Sequence, residues 1–276
     1  MPELPEVETM RSGLESLLGR SPVIREVKLL RPDIRFPIPK ELPKTFRDQP
    51  ILAVRRRAKY LLLDTPEASI LSHLGMTGSW RLVTSLSEVS KGNHDHCAIA
   101  FADGRYLVYR DPRRFGVLDL VRHGEESTHP RLRGLGVEPL DDTLFTAEFL
   151  FATSRKRKVA SKVFIMDQRI VVGIGNIYAS EALYRARIRP TKPAGRLTKD
   201  ECQRLVEVSR VILREAIMQG GSSIRDYRQA SGESGGFQDS HLVYERGGEP
   251  CRECRHPIKS KVIGGRSTYW CAKCQL

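Results

Sequence analysis

Two closely spaced cysteine pairs near the end of the chain restrict the local fold more than any other feature of the sequence. Cys251 and Cys254 form the first pair, and Cys271 and Cys274 form the second, sixteen residues further on. Each pair can chelate one ion from a tight turn, and four thiolates suit one tetrahedral Zn²⁺. Two disulfides are the alternative, which a cytosolic setting disfavours, and the spacing also fits iron. Because four protein ligands leave no open position, the predicted metal is structural.

A β-hairpin is predicted between the two cysteine pairs. Residues 259–263 and 267–270 have strand composition, and Gly264-Gly265 provides a two-residue turn. Arg266 follows that turn, where a metal-clamped hairpin would hold its guanidinium ready for a phosphate. The alternative is a solvated turn residue without a role.

The composition indicates a globular protein with a polyanionic partner. The chain has 276 residues, enough for two domains, and 46 Lys and Arg against 33 Asp and Glu give a net charge of +13. This excess favours nucleic acid, while the rival, an anionic membrane surface, lacks a basic amphipathic helix or lipidation signal. With no spanning stretch of about 18 apolar residues and no secretory signal, a cytoplasmic location is expected. Cys97 and Cys202, outside the pairs, are expected to be buried small apolar side chains.

Hydrophobic periodicity predicts an α+β fold with an N-terminal helix and an antiparallel β-sandwich or barrel, followed by helices and the cysteine module. Thr198 and Glu201 have capping-box spacing at the start of the longest helix. The predicted strands cover 23–30, 51–63, 70–83, 98–109 and 117–121. The predicted helices cover 5–18, 146–153, 162–166, 177–186 and a segment from 198 to a Gly-Gly stop at 220–221. The predicted divisions are 1–136, 143–229, a mobile Gly/Ser-rich loop and connector over 230–246, and 247–276, with a linker at 137–142.

A candidate nucleophile lies in the first six residues, which read MPELPE. An initiator Met before a residue as small as Pro is normally removed, which would expose the secondary amine of Pro2. Such an amine can attack an aldehyde carbon and form an iminium, a strong electron sink. Glu3 and Glu6 stand beside it as candidate proton carriers. The alternative is an ordinary Pro-containing start of a surface helix.

The segment Gly173-Ile174-Gly175-Asn176 precedes a predicted helix. It lacks the third Gly of a dinucleotide fingerprint. A tight turn that presents backbone N–H groups and the Asn176 amide to one phosphate fits better. A plain Asn cap is the compatible alternative.

Several long motifs, in order along the whole chain, resemble bacterial formamidopyrimidine-DNA glycosylase, a repair enzyme also called 8-oxoguanine DNA glycosylase/AP lyase. They are MPELPEVET at the start, RRRAKYLLL (55–63), HLGMTGS (73–79), DPRRFG (111–116), VVGIGNIYASEALY (171–184) and the four-cysteine finger ending in Cys-Gln. The resemblance implies a catalytic N-terminal helix and β-sandwich, a helix–two-turn–helix DNA-binding domain and a zinc finger, with DNA in the cleft between the halves. It also implies a monomer that excises oxidised purines, 8-oxoguanine and formamidopyrimidines, from duplex DNA. Strand cleavage by β,δ-elimination at the abasic site follows.

The resemblance assigns roles residue by residue. Pro2 is the implied nucleophile, Glu3 the proton donor, and Lys59 the β-elimination lysine and phosphate contact. Since an α-amino group has a pKa of about 8 and a lysine about 10.4, Pro2 is favoured over Lys59 as nucleophile. The implied phosphate contacts are His73, Asn176 and Arg266, which is also counted with the catalytic group. The implied gap-filling residues are Met76, Arg113 and Phe115, with Arg114 in the same DNA-binding motif. Lys162 corresponds to a lysine near the damaged base.

Packing in the core is the alternative for Met76 and Phe115, but glycines at 75 and 78 and two arginines before Phe115 favour exposed turn tips. Two departures from the family pattern are visible. Arg255 stands where the family usually has Gly, which puts the turn of the finger in question. The loop at 230–240, corresponding to the lid over the lesion, also differs in its Gly-Gly-Phe.

Two rival functions remain open at this point. An endonuclease VIII-type glycosylase for oxidised pyrimidines shares the proline and the finger, although Leu4 and the set Met76, Arg113 and Phe115 favour the purine enzyme. A non-catalytic zinc-ribbon nucleic-acid-binding protein would explain the charge and the finger, but not the proline start with its adjacent Glu.

Overall fold

The computed structural model describes residues 1–90, 94–222 and 235–276 of the chain. These residues form two compact units. Unit 1 comprises Met1–Arg133 and Gln219–Gly236, and unit 2 comprises Gly134–Met218 and Phe237–Leu276. The first part of the loop expected at 230–246, residues 230–234, lies outside the described residues.

Unit 1 begins with helix α1, Leu4–Leu18, one residue earlier than expected. Pro5 lies in its first turn, where the missing N–H removes no helical bond. Gly19 ends the helix with a φ of 71°, a conformation that suits glycine. Apolar residues recur every three or four positions, so one face of α1 enters the core. That buried face consists of Val7, Met10, Leu14 and Leu18.

In the described part of unit 1, eight strands form two antiparallel four-stranded sheets, which confirms the sandwich prediction. The strands are β1 (Ile24–Leu29), β2 (Ala53–Arg57), β3 (Tyr60–Asp64), β4 (Ala68–His73), β5 (Ser79–Val83), β6 (Asp95–Phe101), β7 (Tyr106–Arg110) and β8 (Val117–Arg122). One sheet has the order β1-β6-β7-β5 and the other β2-β3-β4-β8. A short helix α2, Leu42–Phe46, lies between β1 and β2 in the chain.

Both sheets and α1 contribute to one hydrophobic core. The rings of Trp80 and Tyr109 meet in it at 5.1 Å between centroids, in a tilted arrangement that aromatic pairs favour. Leu61 and Leu63 enter the same core from β3. This core fixes the strand ends that carry the candidate site.

Three segments expected to be single strands are each two strands. The segment 51–63 is a hairpin, in which Arg57 pairs with Tyr60 and the chain turns at Ala58, with a φ of 54°, and Lys59. The segment 70–83 passes from one sheet to the other through a turn at 74–78. The segment 98–109 is the β6–β7 hairpin, which turns at Gly104. Each division creates a turn, and two of these turns carry candidate functional residues.

The described part of unit 2 contains four α-helices and a two-stranded sheet, in agreement with the α+β prediction. Thr146 caps the first helix by accepting from Phe149 N at 3.2 Å. Thr198 and Glu201 cap the longest, where Glu201 N donates to Thr198 Oγ1 at 3.1 Å and Thr198 N donates to Glu201 Oε2 at 2.9 Å. The predicted linker belongs to this unit, because Val137 pairs with Val171. The helices are α3 (Ala147–Ser154), α4 (Ser161–Ile165), α5 (Asn176–Arg185) and α6 (Lys199–Met218).

The hairpin of unit 2 consists of β9, Ile258–Ile263, and β10, Arg266–Cys271, joined at Gly264-Gly265 as expected. Glu181 on α5 binds residues 242–244, which precede this hairpin in the chain. Its buried carboxylate accepts from the backbone N–H groups of Leu242, Val243 and Tyr244 at 2.8–2.9 Å.

Candidate functional site

Residues 2–7 are buried in unit 1, while Met1 is exposed, so the chain does not begin with a surface helix. Glu3 precedes α1, and Glu3 and Glu6 form a reciprocal capping box. The pKa of the Met1 amino group is lowered, chiefly because burial disfavours its charged form, and Lys59 and Arg113 act in the same direction. Glu3 and Glu6 oppose that change. The chain terminus therefore shares its surroundings with two carboxylates and two cations.

Lys59 occupies the tight turn between β2 and β3. Its side chain is only 6% exposed, and its charge acts on both the amino terminus and the imidazole of His73. The pairing of β3 with β4 sets Tyr60, the residue after Lys59, directly opposite His73, and the charge of the amino terminus also acts on His73. Two of the predicted phosphate-binding residues thus lie together with the candidate nucleophile.

His73 ends β4 as a neutral hydrogen-bond donor. Burial lowers its pKa to about 4, with further lowering by nearby cations, first among them Lys59. Gly75 N donates to His73 Nδ1 at 2.9 Å, so the ring proton resides on Nε2. The Tyr60 ring packs against the imidazole at 4.9 Å between centroids. His73 is therefore set to give one neutral N–H bond to an acceptor.

Two turns of unit 1 present the predicted gap-filling residues. Met76 is 37% exposed and Phe115 is 42% exposed, so the core alternative for these two side chains is wrong. The Arg113 guanidinium lies over the Phe115 ring at 4.9 Å, a cation–π contact that holds both side chains. Arg114 is exposed at the same turn with a φ of 56°.

Asp111 fastens the two turns together. Its buried carboxylate accepts from Thr77 Oγ1 at 2.6 Å and from Gly116 N at 2.7 Å. Gly75 touches the backbone of Phe115 so closely that a Cβ would lie 2.4 Å from its carbonyl carbon. Gly75 was expected as part of an exposed turn, whereas the role of Asp111 was not predicted, although Asp-Pro is a turn signal that could have indicated it.

Arg266, Asn176 and Lys162 converge in unit 2 on the start of β10. Arg266 is exposed, while Asn176 Nδ2 donates to the carbonyl oxygen of its neighbour Ser267 at 3.0 Å. Lys162 Nζ donates to the same oxygen at 3.1 Å and to Thr268 Oγ1 at 2.9 Å. Lys162 is 0% exposed, so the structure gives it a bond to the hairpin rather than a place on the surface. Its predicted position near a damaged base stays a prediction.

The Asn-cap alternative for the turn before α5 is wrong. Gly175 is the N-cap of that helix, and Asn176 is its first residue. The Asn176 side chain is directed to the hairpin, and only one of its two amide hydrogens is accounted for by Ser267. Contact of the other hydrogen with a phosphate stays a prediction.

The four paired cysteines form a site for one structural zinc ion. Their sulfur atoms all lie within 4.8 Å of one another, and Sγ–Sγ distances are 3.9 Å for Cys251–Cys274 and 3.4 Å for Cys254–Cys271. A tetrahedral zinc with ligands at about 2.3 Å separates its sulfurs by about 3.8 Å. All four are free cysteines, so the disulfide alternative is wrong.

The turn of the zinc finger forms with Arg255 at the position where the family usually has Gly. Arg255 adopts a φ of 64°, and its N–H donates to Cys251 O at 2.9 Å. The left-handed conformation costs a residue with a Cβ about 1–2 kcal/mol. The turn is therefore formed in spite of the substitution, with a local strain.

Cys97 and Cys202 are buried, as predicted. Burial raises the pKa of Cys97 to about 12 and that of Cys202 to about 11, so both stay protonated at neutral pH. Within the described ranges, no helix has the length and apolar character required to cross a membrane.

Family models match three parts of the chain. Residues 1–118 match the formamidopyrimidine-DNA glycosylase N-terminal domain, residues 135–228 match the H2TH domain of the same glycosylase, and residues 248–276 match a zinc finger found in FPG and IleRS. The chain belongs to the formamidopyrimidine-DNA glycosylase family. Full-length relatives carry the same name: one from Bdellovibrio bacteriovorus is 50% identical and one from Stenotrophomonas maltophilia strain R551-3 is 48% identical, with 100% of each chain covered.

Solved structures of the glycosylase family have the same fold. The MutM (Fpg) protein of Thermus thermophilus is 40% identical with a TM-score of 0.87, over 99% of this chain and 98% of that one. The Lactococcus lactis Fpg in complex with abasic-site-containing DNA is 32% identical with a TM-score of 0.89, over 99% of both chains. Another complex of the Lactococcus lactis Fpg contains Fapy-dG DNA, with a TM-score of 0.88 at 32% identity over 99% of both chains.

Proposed function

We propose that this chain is a DNA-repair glycosylase and abasic-site lyase that removes oxidised purines from duplex DNA. The observation that carries the proposal is the burial of the amino-terminal segment among Glu3, Glu6 and Lys59 in a chain of this family. An amine in this setting has its charged form disfavoured, which leaves more of it as the nucleophilic free base. Its natural substrate lies in the DNA of a bacterium, and we propose that it acts in the cytoplasm.

The proposed reaction begins at Pro2 after removal of Met1. The Pro2 nitrogen attacks C1′ of the damaged nucleotide, and the base leaves with the electron pair of the glycosidic bond. The Pro2 nitrogen then gives up its N–H proton to water, and its lone pair opens the sugar while Glu3 protonates the ring oxygen, which yields an iminium between Pro2 and C1′. Loss of the proton at C2′ then expels the 3′ phosphate, and a second elimination expels the 5′ phosphate. Zinc supplies no chemistry to these steps, because its four thiolate ligands leave no open position.

Base excision requires that the nucleotide leave the stack and that the vacated space be filled. The two linked turns of unit 1 suit this purpose. Met76 is flexible, Phe115 is flat, and Arg113 adds hydrogen-bond donors for an unpaired base. We propose that Phe115 wedges between base pairs and that Met76 and Arg113 occupy the space of the extruded nucleotide.

Trapping with borohydride tests the proposed function. Incubation with an oligonucleotide duplex that contains one 8-oxoguanine opposite cytosine is expected to give a covalent adduct, because borohydride reduces the iminium to a stable amine. A nucleic-acid-binding module gives no adduct. A parallel duplex with thymine glycol distinguishes the pyrimidine glycosylase, which would be trapped there in preference.

Lys59→Ala decides between the two candidate amines in the same assay. We expect it to slow removal of 8-oxoguanine more than cleavage of a preformed abasic site, since Pro2 still supplies the iminium. Equal loss of both activities, with DNA binding intact, would make Lys59 the nucleophile.

The predicted phosphate contacts should differ in their dependence on salt. Arg266→Ala removes a cation, so we expect weaker binding and a slope of log Kd against log salt that is smaller by roughly one unit. Asn176→Ala and His73→Ala each remove a neutral donor: the amide of Asn176 carries no charge, and burial lowers the pKa of His73 to about 4. Both variants should weaken binding and leave the slope nearly unchanged. Titration by fluorescence anisotropy at several salt concentrations measures this. A slope change for His73→Ala at pH 7 would show that its imidazole is charged.

A further inference from the structure

Glu6 connects two parts of unit 1 that are more than two hundred residues apart in sequence. Its Oε2 accepts from Glu3 N at 2.8 Å, and its Oε1 accepts from Ser222 N at 2.8 Å. The carboxylate is 2% exposed. One buried side chain therefore holds the backbone amide next to Pro2 and a backbone amide 216 residues further along the chain than Glu6.

The distant partner belongs to a compact structure, here called the stem, formed by residues 219–222 and 235–236. Ser222 pairs with Gly236, and Gly236 N donates to Gln219 O at 3.0 Å. A Cβ on Gly221 would lie 2.9 Å from Glu6 Oε1, and a Cβ on Gly235 would lie 2.2 Å from Gly221 O. Because these contacts leave no free space, a shift of the stem must be transmitted to the Glu6 carboxylate.

We propose that Glu6 is a positioning residue that couples the stem to the amino-terminal segment and thereby sets the placement of the reacting amine. The assignment of that amine to Pro2 rests on the proposed function. The mechanical coupling rests only on the two amide contacts of Glu6 and on the glycine packing around them.

The chemistry of the contact requires a carboxylate of this length. Both partners are N–H donors, so the side chain must offer two acceptor oxygens that point in different directions. A glutamine has one acceptor oxygen, and its NH₂ group would face one of the two donors. Glu6→Gln therefore leaves a buried amide without its acceptor while the volume of the side chain stays nearly the same.

Glu6 also acts on the amino terminus through its charge. The negative charges of Glu3 and Glu6 raise the pKa of the terminal amine, while burial and the charges of Lys59 and Arg113 lower it. Glu6→Gln removes one of the raising charges, so the pH at which the amine becomes reactive should fall. Ser222→Pro removes the N–H that donates to Glu6 and leaves the charge of Glu6 in place, so this variant should leave that pH unchanged.

The test compares Glu6→Gln, Ser222→Pro and the double variant, with Ser222→Ala as the control that keeps the backbone N–H. Single-turnover borohydride trapping on abasic-site DNA and DNA affinity are measured for each, together with thermal unfolding. We expect each single variant to trap roughly ten- to hundredfold more slowly, with DNA affinity within about twofold of the wild type because no DNA-contact residue is altered. The double variant should be no slower than the slower single variant, since each single change already breaks the bridge from Ser222 through Glu6 to Glu3.

Amide hydrogen exchange supplies a readout that does not depend on the reaction. Ser222→Pro should speed exchange at the Glu3 amide, because the carboxylate that accepts from it is no longer held on its other side. Multiplicative effects in the double variant, or wild-type trapping and Glu3 exchange in folded Ser222→Pro, would overturn the coupling. If Ser222→Pro does not fold, Glu6→Gln is used instead. Exchange at the Glu3 and Ser222 amides that stays at the wild-type rate in Glu6→Gln would also overturn the coupling. A wild-type protein that traps nothing refutes the proposed function instead, and exchange still decides the coupling.

Discussion

Protein that retains Met1 is expected to lose at least about a hundredfold in trapping rate on 8-oxoguanine DNA. The retained residue makes the Pro2 nitrogen a tertiary amide, which has no nucleophilic lone pair. The only terminal amine is then that of Met1, displaced along the chain by about 3.5 Å. A misplacement of 1 Å can already cost about a hundredfold in rate. Intact-mass measurement of the preparation, followed by trapping before and after aminopeptidase treatment, checks this expectation.

Pro2→Gly is the matched comparison for the Met1 experiment. It offers a primary amine at the correct position once Met1 is removed, and should keep part of the trapping activity. Full activity in a preparation that carries Met1 on every molecule would refute the proline mechanism.

Cys251→Ser is expected to lose zinc and DNA affinity together. Structural zinc sites contribute about 10–16 kcal/mol in isolated finger peptides, and the hairpin that carries Arg266 is tied to the metal at both ends, by Cys254 before β9 and Cys271 at the end of β10. Without the metal, Arg266 loses its fixed position, and a hydrogen bond between charged groups contributes about 1.5–3 kcal/mol. We therefore expect Kd to rise at least about tenfold. Metal analysis by atomic emission and a DNA-binding isotherm measure both quantities.

Cys202→Ala is the control for the zinc experiment, because it removes a buried thiol that lies outside the four-cysteine site. It should keep one zinc per chain and near-normal DNA affinity. Wild-type protein that binds DNA normally and contains no zinc would contradict the tetrathiolate assignment.

The sequence predicted the elements of the fold better than their turns. Helix α1 and the zinc hairpin were expected almost to the residue, because periodicity and glycine signals agreed there. The turn at Ala58 and Lys59 was missed, since residues 54–63 contain no Gly, Pro, Asn or Asp to indicate it. The structure has to place Ala58 at a φ of 54° to make that turn. Pairing along the whole β2–β3 hairpin, from Ala53–Asp64 to Arg57–Tyr60, outweighs the preference of the two turn residues.

The site divides in the same way between residues that a motif indicates and residues that only contacts reveal. The exposure of Met76 and Phe115 followed from their glycine and arginine neighbours. The burial of Lys162 could not be predicted in this way. Its hydrogen-bond partners, Ser267 and Thr268, are more than a hundred residues away in the chain, and no local pattern indicates them. Glu6 was expected as a proton carrier, and one of its two backbone partners, Ser222, lies in a segment far away in the chain. Long-range acceptors of this kind leave no local pattern.

The exposed tips at Met76 and Phe115 have a consequence for the protein between encounters with DNA. Large apolar side chains in the open are a liability for colloidal stability, because two molecules can cover them by sticking together. A net charge of +13 makes copies of the chain repel one another at low ionic strength. The surplus of arginine and lysine thus has two effects: it draws in a polyanion and it keeps identical molecules apart. A protein with the same tips and a balanced charge would have to shield them with additional chain.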